Sequence, residues 1–93
     1  MKMLELIELR ITGKDHDKVE AYLRQLFEQV RMDTNKMMKV FTKLNVETDF
    51  SIHLVDSTNT LEQNGSALGQ HLVYVLKAYG LVNHSIWIEQ SIK

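Results

Sequence analysis

Two hydrophobic rhythms alternate along this chain, and their order constrains the fold more than any other feature. Leu4 to Thr12 and Val82 to Glu89 alternate with a period of two, the mark of a strand with one buried face. Val19, Leu23, Leu26, Phe27 and Val30 recur at helical spacing, as do Leu68, Leu72, Val75, Leu76 and Tyr79. A hairpin pattern lies between the two helical stretches. The sequence therefore reads strand, helix, strand, strand, helix, strand. That order predicts an α+β, ferredoxin-like βαββαβ sandwich: a four-stranded antiparallel sheet, order 4-1-3-2, with both helices on one face. The 93 residues form one expected domain, 1–93, small enough to fold with little margin.

The boundaries follow from local chemistry. The first strand is expected from Met3 to Thr12 and the first helix from His16 to Met32, with Asp15 or the Asp17/Glu20 capping box at its start. The second strand is placed at Lys36 to Asn45 and the third at Phe50 to Asp56, joined by Val46-Glu47-Thr48-Asp49. Ser57 to Gly65 is a polar, turn-rich loop. Ser66 is the expected cap of the second helix, and Gly80 its glycine stop. Gly69 inside that helix is unfavourable by about 1 kcal/mol against alanine, so either it permits close packing or the helix starts after it.

Composition narrows the function classes. Eleven basic and 12 acidic residues are interspersed, giving a net charge of −1. No basic stripe for nucleic acid is present. No apolar run approaches the ~18 residues of a membrane span. Met1 to Ile7 lacks the apolar stretch of a signal peptide, so a cytoplasmic protein is expected. The absence of cysteine excludes disulfides, thiol catalysis and cysteine-based metal sites. No pair of histidines stands at HxH or HxxxH spacing, and neither a metal nor another cofactor is expected.

Both helices of such a sandwich cover the same sheet face. Alternation assigns Ile7, Leu9, Ile11, Met38, Val40, Leu44, Phe50, Ile52, Leu54, Val82, Ile86 and Ile88 to it. The other face collects Leu4, Leu6, Glu8, Arg10, Met37, Lys39, Phe41, Lys43, Ser51, His53, Val55, Asn83, Ser85, Trp87 and Glu89. That face is too apolar to be left to water, since Trp and Phe each bury roughly 150–250 Å² when covered. A homodimer covering Leu6, Phe41, His53, Val55 and Trp87 is expected.

Candidate chemistry is sparse. His53, at mid-strand on the uncovered face, is the weak candidate for a proton acceptor, in a pocket with Glu8, Arg10, Asn83 and Trp87. The competing reading is a hydrogen-bonded interface histidine. His84 alternates onto the helix-covered face, where a backbone hydrogen bond would satisfy it. His71 falls at the margin of the second helix, and His16 in the solvated first turn of the first. Ser66 to Leu68, at a helix start, could receive the charged end of a small anion with the Ser57–Gly65 loop closing over it. Capping explains the same residues without a ligand.

The topology admits several families, and absences exclude some of them. Metal-chaperone domains need a CxxC loop. RNA-recognition motifs need aromatics on the open face of the first and third strands. Acylphosphatases need an arginine-bearing glycine loop where this chain has Thr12-Gly13-Lys14-Asp15. The segments Thr48 to Leu54 (TDFSIHL) and Gly80 to Glu89 (GLVNHSIWIE) make the chain similar to the dimeric α+β barrels, and within them to the antibiotic-biosynthesis-monooxygenase-like proteins, near a small bacterial group. That resemblance implies paired open sheet faces enclosing a cleft. It also implies cofactor-independent oxidation of small aromatic substrates, with Trp87, Asn83 and His53 as the matching residue types. An ACT-like regulatory domain also has this topology and would bind a small ligand near Gly13, although its usual proline is missing. The favoured expectation is a dimeric binding or structural module without an assigned reaction. The monooxygenase-like enzyme and the ACT-like domain stand as alternatives.

Overall fold

Nine residues of strict alternation form the central strand β1 (Met3–Ile11), whose odd-numbered side chains are buried while Glu8 and Arg10 are exposed. The structure, a computed structural model, describes residues 3–33, 35–56 and 64–92. A 3₁₀ turn (Gly13–Asp15) leads into α1 (His16–Val30), followed by β2 (Lys36–Lys43), β3 (Val46–Asp56), α2 (Ala67–Leu76) and β4 (Gly80–Ile88). The sheet order is β2-β3-β1-β4 and all pairs are antiparallel. This is the expected 4-1-3-2 order read from the other edge.

The helical stripes do what their spacing requires. Val19, Leu23, Leu26 and Val30 of α1 and Leu72 and Leu76 of α2 are buried together with Ile7, Leu9, Ile11, Met38, Phe50, Ile52 and Leu54 of the sheet. Burying each such side chain stabilises the fold by roughly 1.5–3 kcal/mol. One group inside this layer is not satisfied: the Tyr22 hydroxyl is buried without a hydrogen-bond partner. Its removal from water, and then the neighbouring Tyr79, hold its pKa above the usual value.

Several expectations are corrected. The hairpin turns at Leu44-Asn45, because Lys43 pairs with Val46 after a register shift at Thr42/Lys43. Asn45 takes the left-handed conformation, φ 63°, which asparagine tolerates in a two-residue turn. The third strand therefore begins at Val46 rather than Phe50. Leu44 leaves the core and is 85% exposed. Val40 is also partly exposed, because β2 is an edge strand on which only Met38 is buried. Helix α1 ends at Val30 rather than Met32, and Asp15 makes no side-chain capping bond. Glu20 instead meets Arg24 and His16. His16 is only 24% exposed and lies against the Phe50 ring, 5.2 Å between centroids, so it is not the solvated residue expected.

Ser66 is the cap of α2, its Oγ accepting from the Gly69 N–H at 3.0 Å. Gly80 is not a left-handed stop. The helix closes through Lys77, Ala78 and Tyr79 amides bonded to Val73, Val75 and Leu76 carbonyls. Gly80 opens β4 opposite Ile11, where a Cβ would collide with the Arg10 carbonyl.

Candidate functional site

The sheet face opposite the helices is organised in rows, because antiparallel register sets the partners across each strand. At one end Asp49, Arg10 and Leu81 lie side by side. Next come Phe41, Ser51, Glu8 and Asn83. Then follow Lys39, His53, Leu6 and Ser85, and finally Met37, Val55, Leu4 and Trp87. Polar residues gather toward the first two rows and apolar ones toward the last.

A cleft of about 580 Å³ opens over the polar rows, lined by Glu8, Arg10, Lys43, Asp49, Ser51 and Asn83 with Phe41 and Leu81 among its apolar walls. Arg10 and Asp49 face each other across β1 and β3 and form a two-pronged ion pair, Nε–Oδ1 3.2 Å and Nη2–Oδ2 3.3 Å. The Arg10 hydrogen bond holds the Asp49 carboxyl below its usual pKa. Partial desolvation opposes that shift, and a Thr48 hydrogen bond adds to it. Strand register therefore fixes the orientation of one cation at the cleft wall, with part of its donor set still exposed.

The structure brings Glu8, Arg10 and Asn83 to the lining of one cleft. It does not bring His53 and Trp87 there. His53 stands one row away, its Nε2 3.0 Å from Ser51 Oγ and its ring 4.7 Å from that of Phe41. Trp87 lies in the last row and donates from Nε1 to Ser85 Oγ at 2.9 Å. Along β4, Asn83 and Trp87 are four residues apart, roughly 13 Å. Trp87 is 57% exposed, Met37 53% and Phe41 48%, while Leu6 and Val55 are half-buried. Gly13 has no neighbouring atom within 4 Å of where a Cβ would stand, so no packing there demands glycine. His71 is exposed. Among the described residues, no three metal-ligating side chains cluster, and no helix is long and apolar enough to cross a membrane.

The helix-covered face holds a polar cluster that hydrophobic periodicity does not mark. Glu5 is 2% exposed. Its Oε1 accepts from the Ser66 N–H at 2.7 Å, and its Oε2 lies 2.9 Å from His84 Nε2. His84 thus meets a side chain, not the backbone acceptor expected of it. The signal was present: alternation through Ile7 and Leu9 puts Glu5 on the inner face. The same contact bears on the anion expected at Ser66 to Leu68, since the Ser66 amide is already taken by an internal carboxylate. Ser57 to Gln63 of the expected lid lies outside the described residues.

No protein-family model matches the sequence, and no curated protein matches it. Among solved structures, one described as an antibiotic biosynthesis monooxygenase superposes with a TM-score of 0.65, over 98% of this chain and 99% of that chain. The fold is shared. Sequence identity is 12%, so the likeness is one of architecture, and it agrees with the topology read from the hydrophobic order.

Proposed function

We propose that this protein is a homodimeric small-molecule-binding module. In this reading the open sheet faces of two copies pair across their apolar rows and leave the polar cleft as a ligand site. The observation that carries the reading is the division of one face into a wet and a dry half. Charged and hydroxyl groups surround the 580 Å³ cleft, while Met37, Val55, Leu4 and Trp87 lie at the opposite end. A cleft of several hundred Å³ is of ligand size. The chemistry suits a small ligand with an apolar body, held by Phe41 and Leu81, and a polar end for Arg10, Ser51 and Asn83.

A second reading, a cofactor-independent monooxygenase acting on a small aromatic, is favoured by the shared fold. Its three residue types, Asn83, His53 and Trp87, lie on one face. The spread of these residues over three rows weakens it. One experiment separates the readings. Nitrogen-15 NMR of the protein titrated with a panel of aromatic carboxylates and phenols should move the Arg10, Ser51 and Asn83 amides without oxygen uptake. Oxygen consumption with a phenol, abolished by His53→Ala, would favour the enzyme. Shifts confined to residues off the open sheet face would defeat both.

A further inference from the structure

We propose that Glu5 is a protonation-controlled latch on the first turn of α2. The carboxylate is the hub of three elements. It sits on β1, takes the backbone N–H of Ser66 at the start of α2 on one oxygen, and takes His84 of β4 on the other. Its side chain is 3% exposed and that of His84 20%. The chain is shaped around it. Gly65 turns into the helix with φ +87°, and a Cβ there would stand 2.6 Å from Glu5 Oε2 and 2.7 Å from His84 Cε1. A Cβ at Gly69 would overlap the carboxylate itself, 2.8 Å from its Cδ. Two glycines, one capping serine and one histidine thus converge on a single buried acid. Gln70 Nε2 closes the same turn on the Gly65 carbonyl at 3.1 Å.

This arrangement is strongest while Glu5 is an ionised acceptor on both oxygens. A proton added to the His84 ring leaves both contacts in place and adds charge to one of them. A proton added to the carboxylate turns one oxygen into a donor. On Oε2 it can be donated to His84 Nε2 only if that nitrogen carries no proton of its own; against a protonated ring the His84 contact is given up, and Oε1 keeps the Ser66 N–H only as a bond to a neutral acceptor. An unmade hydrogen bond at a buried amide is the unfavourable alternative. The latch is therefore tight when Glu5 is ionised and loosens as pH falls. Few other charges face it. A crevice beside Glu5 is lined by Val30 of α1, Leu54 of β3, Leu68 of α2 and Lys36 of β2. Among these described side chains, Lys36 and His84 are the charged or titratable groups able to oppose the opening. Loosening falls on Asn64 to Gly69, the entry to α2, while the core contacts of Leu72 and Leu76 remain.

The test is an acid titration of the full chain followed by NMR. The Ser66 amide proton should lie downfield, as expected for a bond to a carboxylate. It should move upfield as pH falls, in step with the Glu5 carboxyl carbon and ahead of global unfolding. In Glu5→Gln that coupled movement should vanish, and the Gly69 and Gln70 amides should exchange about tenfold faster, the loss of one hydrogen bond of ordinary strength. If Glu5→Gln does not fold, His84→Gln serves instead. It keeps the carboxylate and a donor, so the Ser66 response to acid must persist. A Ser66 amide indifferent to pH while the Glu5 carboxyl titrates overturns the latch. So does an acid response that survives in Glu5→Gln.

Discussion

Replacing Gly69 with alanine sets local propensity against packing, and the two predict opposite signs. Gly69 lies within the first turn of α2, where alanine should stabilise a helix by about 0.8–1 kcal/mol. Its φ is not positive, so the backbone raises no objection. The opposing term is Glu5. A Cβ at this position would overlap Oε2 and stand 2.8 Å from Cδ. The carboxylate cannot swing away freely, because Ser66 N–H and His84 hold it at 2.7 and 2.9 Å inside a buried pocket. Moving it forfeits at least one hydrogen bond to a charged group, about 1.5–3 kcal/mol. Packing therefore wins, and Gly69→Ala should destabilise the protein by roughly 1–2 kcal/mol. For a domain of this size that lowers Tm by roughly 5–15 °C. The assay is urea unfolding by circular dichroism, done as a double-mutant cycle with Glu5→Ala. In the Glu5→Ala background the obstacle is gone, so Gly69→Ala should change sign and stabilise. A Gly69→Ala protein more stable than the parent would refute the reasoning.

Other outcomes follow from single contacts. Tyr22→Phe removes a buried hydroxyl with no partner and should raise stability by about 1 kcal/mol in the same urea assay. Asn45→Val places a β-branched residue at φ 63° and should be destabilising by about 1–2 kcal/mol, whereas Asn45→Gly should be nearly neutral. The Asp49 carboxyl, lowered chiefly by its Arg10 hydrogen bond, binds its proton less readily folded than unfolded. Its contribution to stability is therefore present above the ordinary carboxylate range and lost as pH falls through its folded value. Arg10→Ala should bring the Asp49 carboxyl carbon titration back toward that range.

The fold was legible because its determinants are periodic. Alternation in β1 and β4 and the stripes of α1 and α2 record which faces are buried, and topology followed from their order. Turn chemistry was harder to read. Leu44-Asn45 offers no glycine, so the acidic Val46–Asp49 stretch looked like the hairpin loop, whereas Asn45 alone supplies the left-handed residue. Gly80 resembled a helix stop, but its reason is contact with the β1 backbone, a long-range fact that no local pattern carries. The cleft was partly legible. Glu8, Arg10 and Asn83 share a face by parity, yet placing His53 and Trp87 in separate rows required the register between strands. Asp49 was read as part of a turn, so its ion pair with Arg10 was invisible. Glu5 was overlooked for a different reason: a carboxylate among inward-facing apolar residues registers as an interruption until Ser66 and His84, 61 and 79 residues away, are seen to meet it.

The central claim is that the open sheet face is covered by a second copy. Light scattering coupled to size exclusion at micromolar concentration tests it most directly. The reading predicts a mass of twice 10.8 kDa. It also predicts a shift toward the single-chain mass for Trp87→Glu, with far-ultraviolet circular dichroism unchanged, because Trp87 is an exposed residue of the last apolar row. A parent protein that runs as a monodisperse 10.8 kDa species across that range would contradict the account.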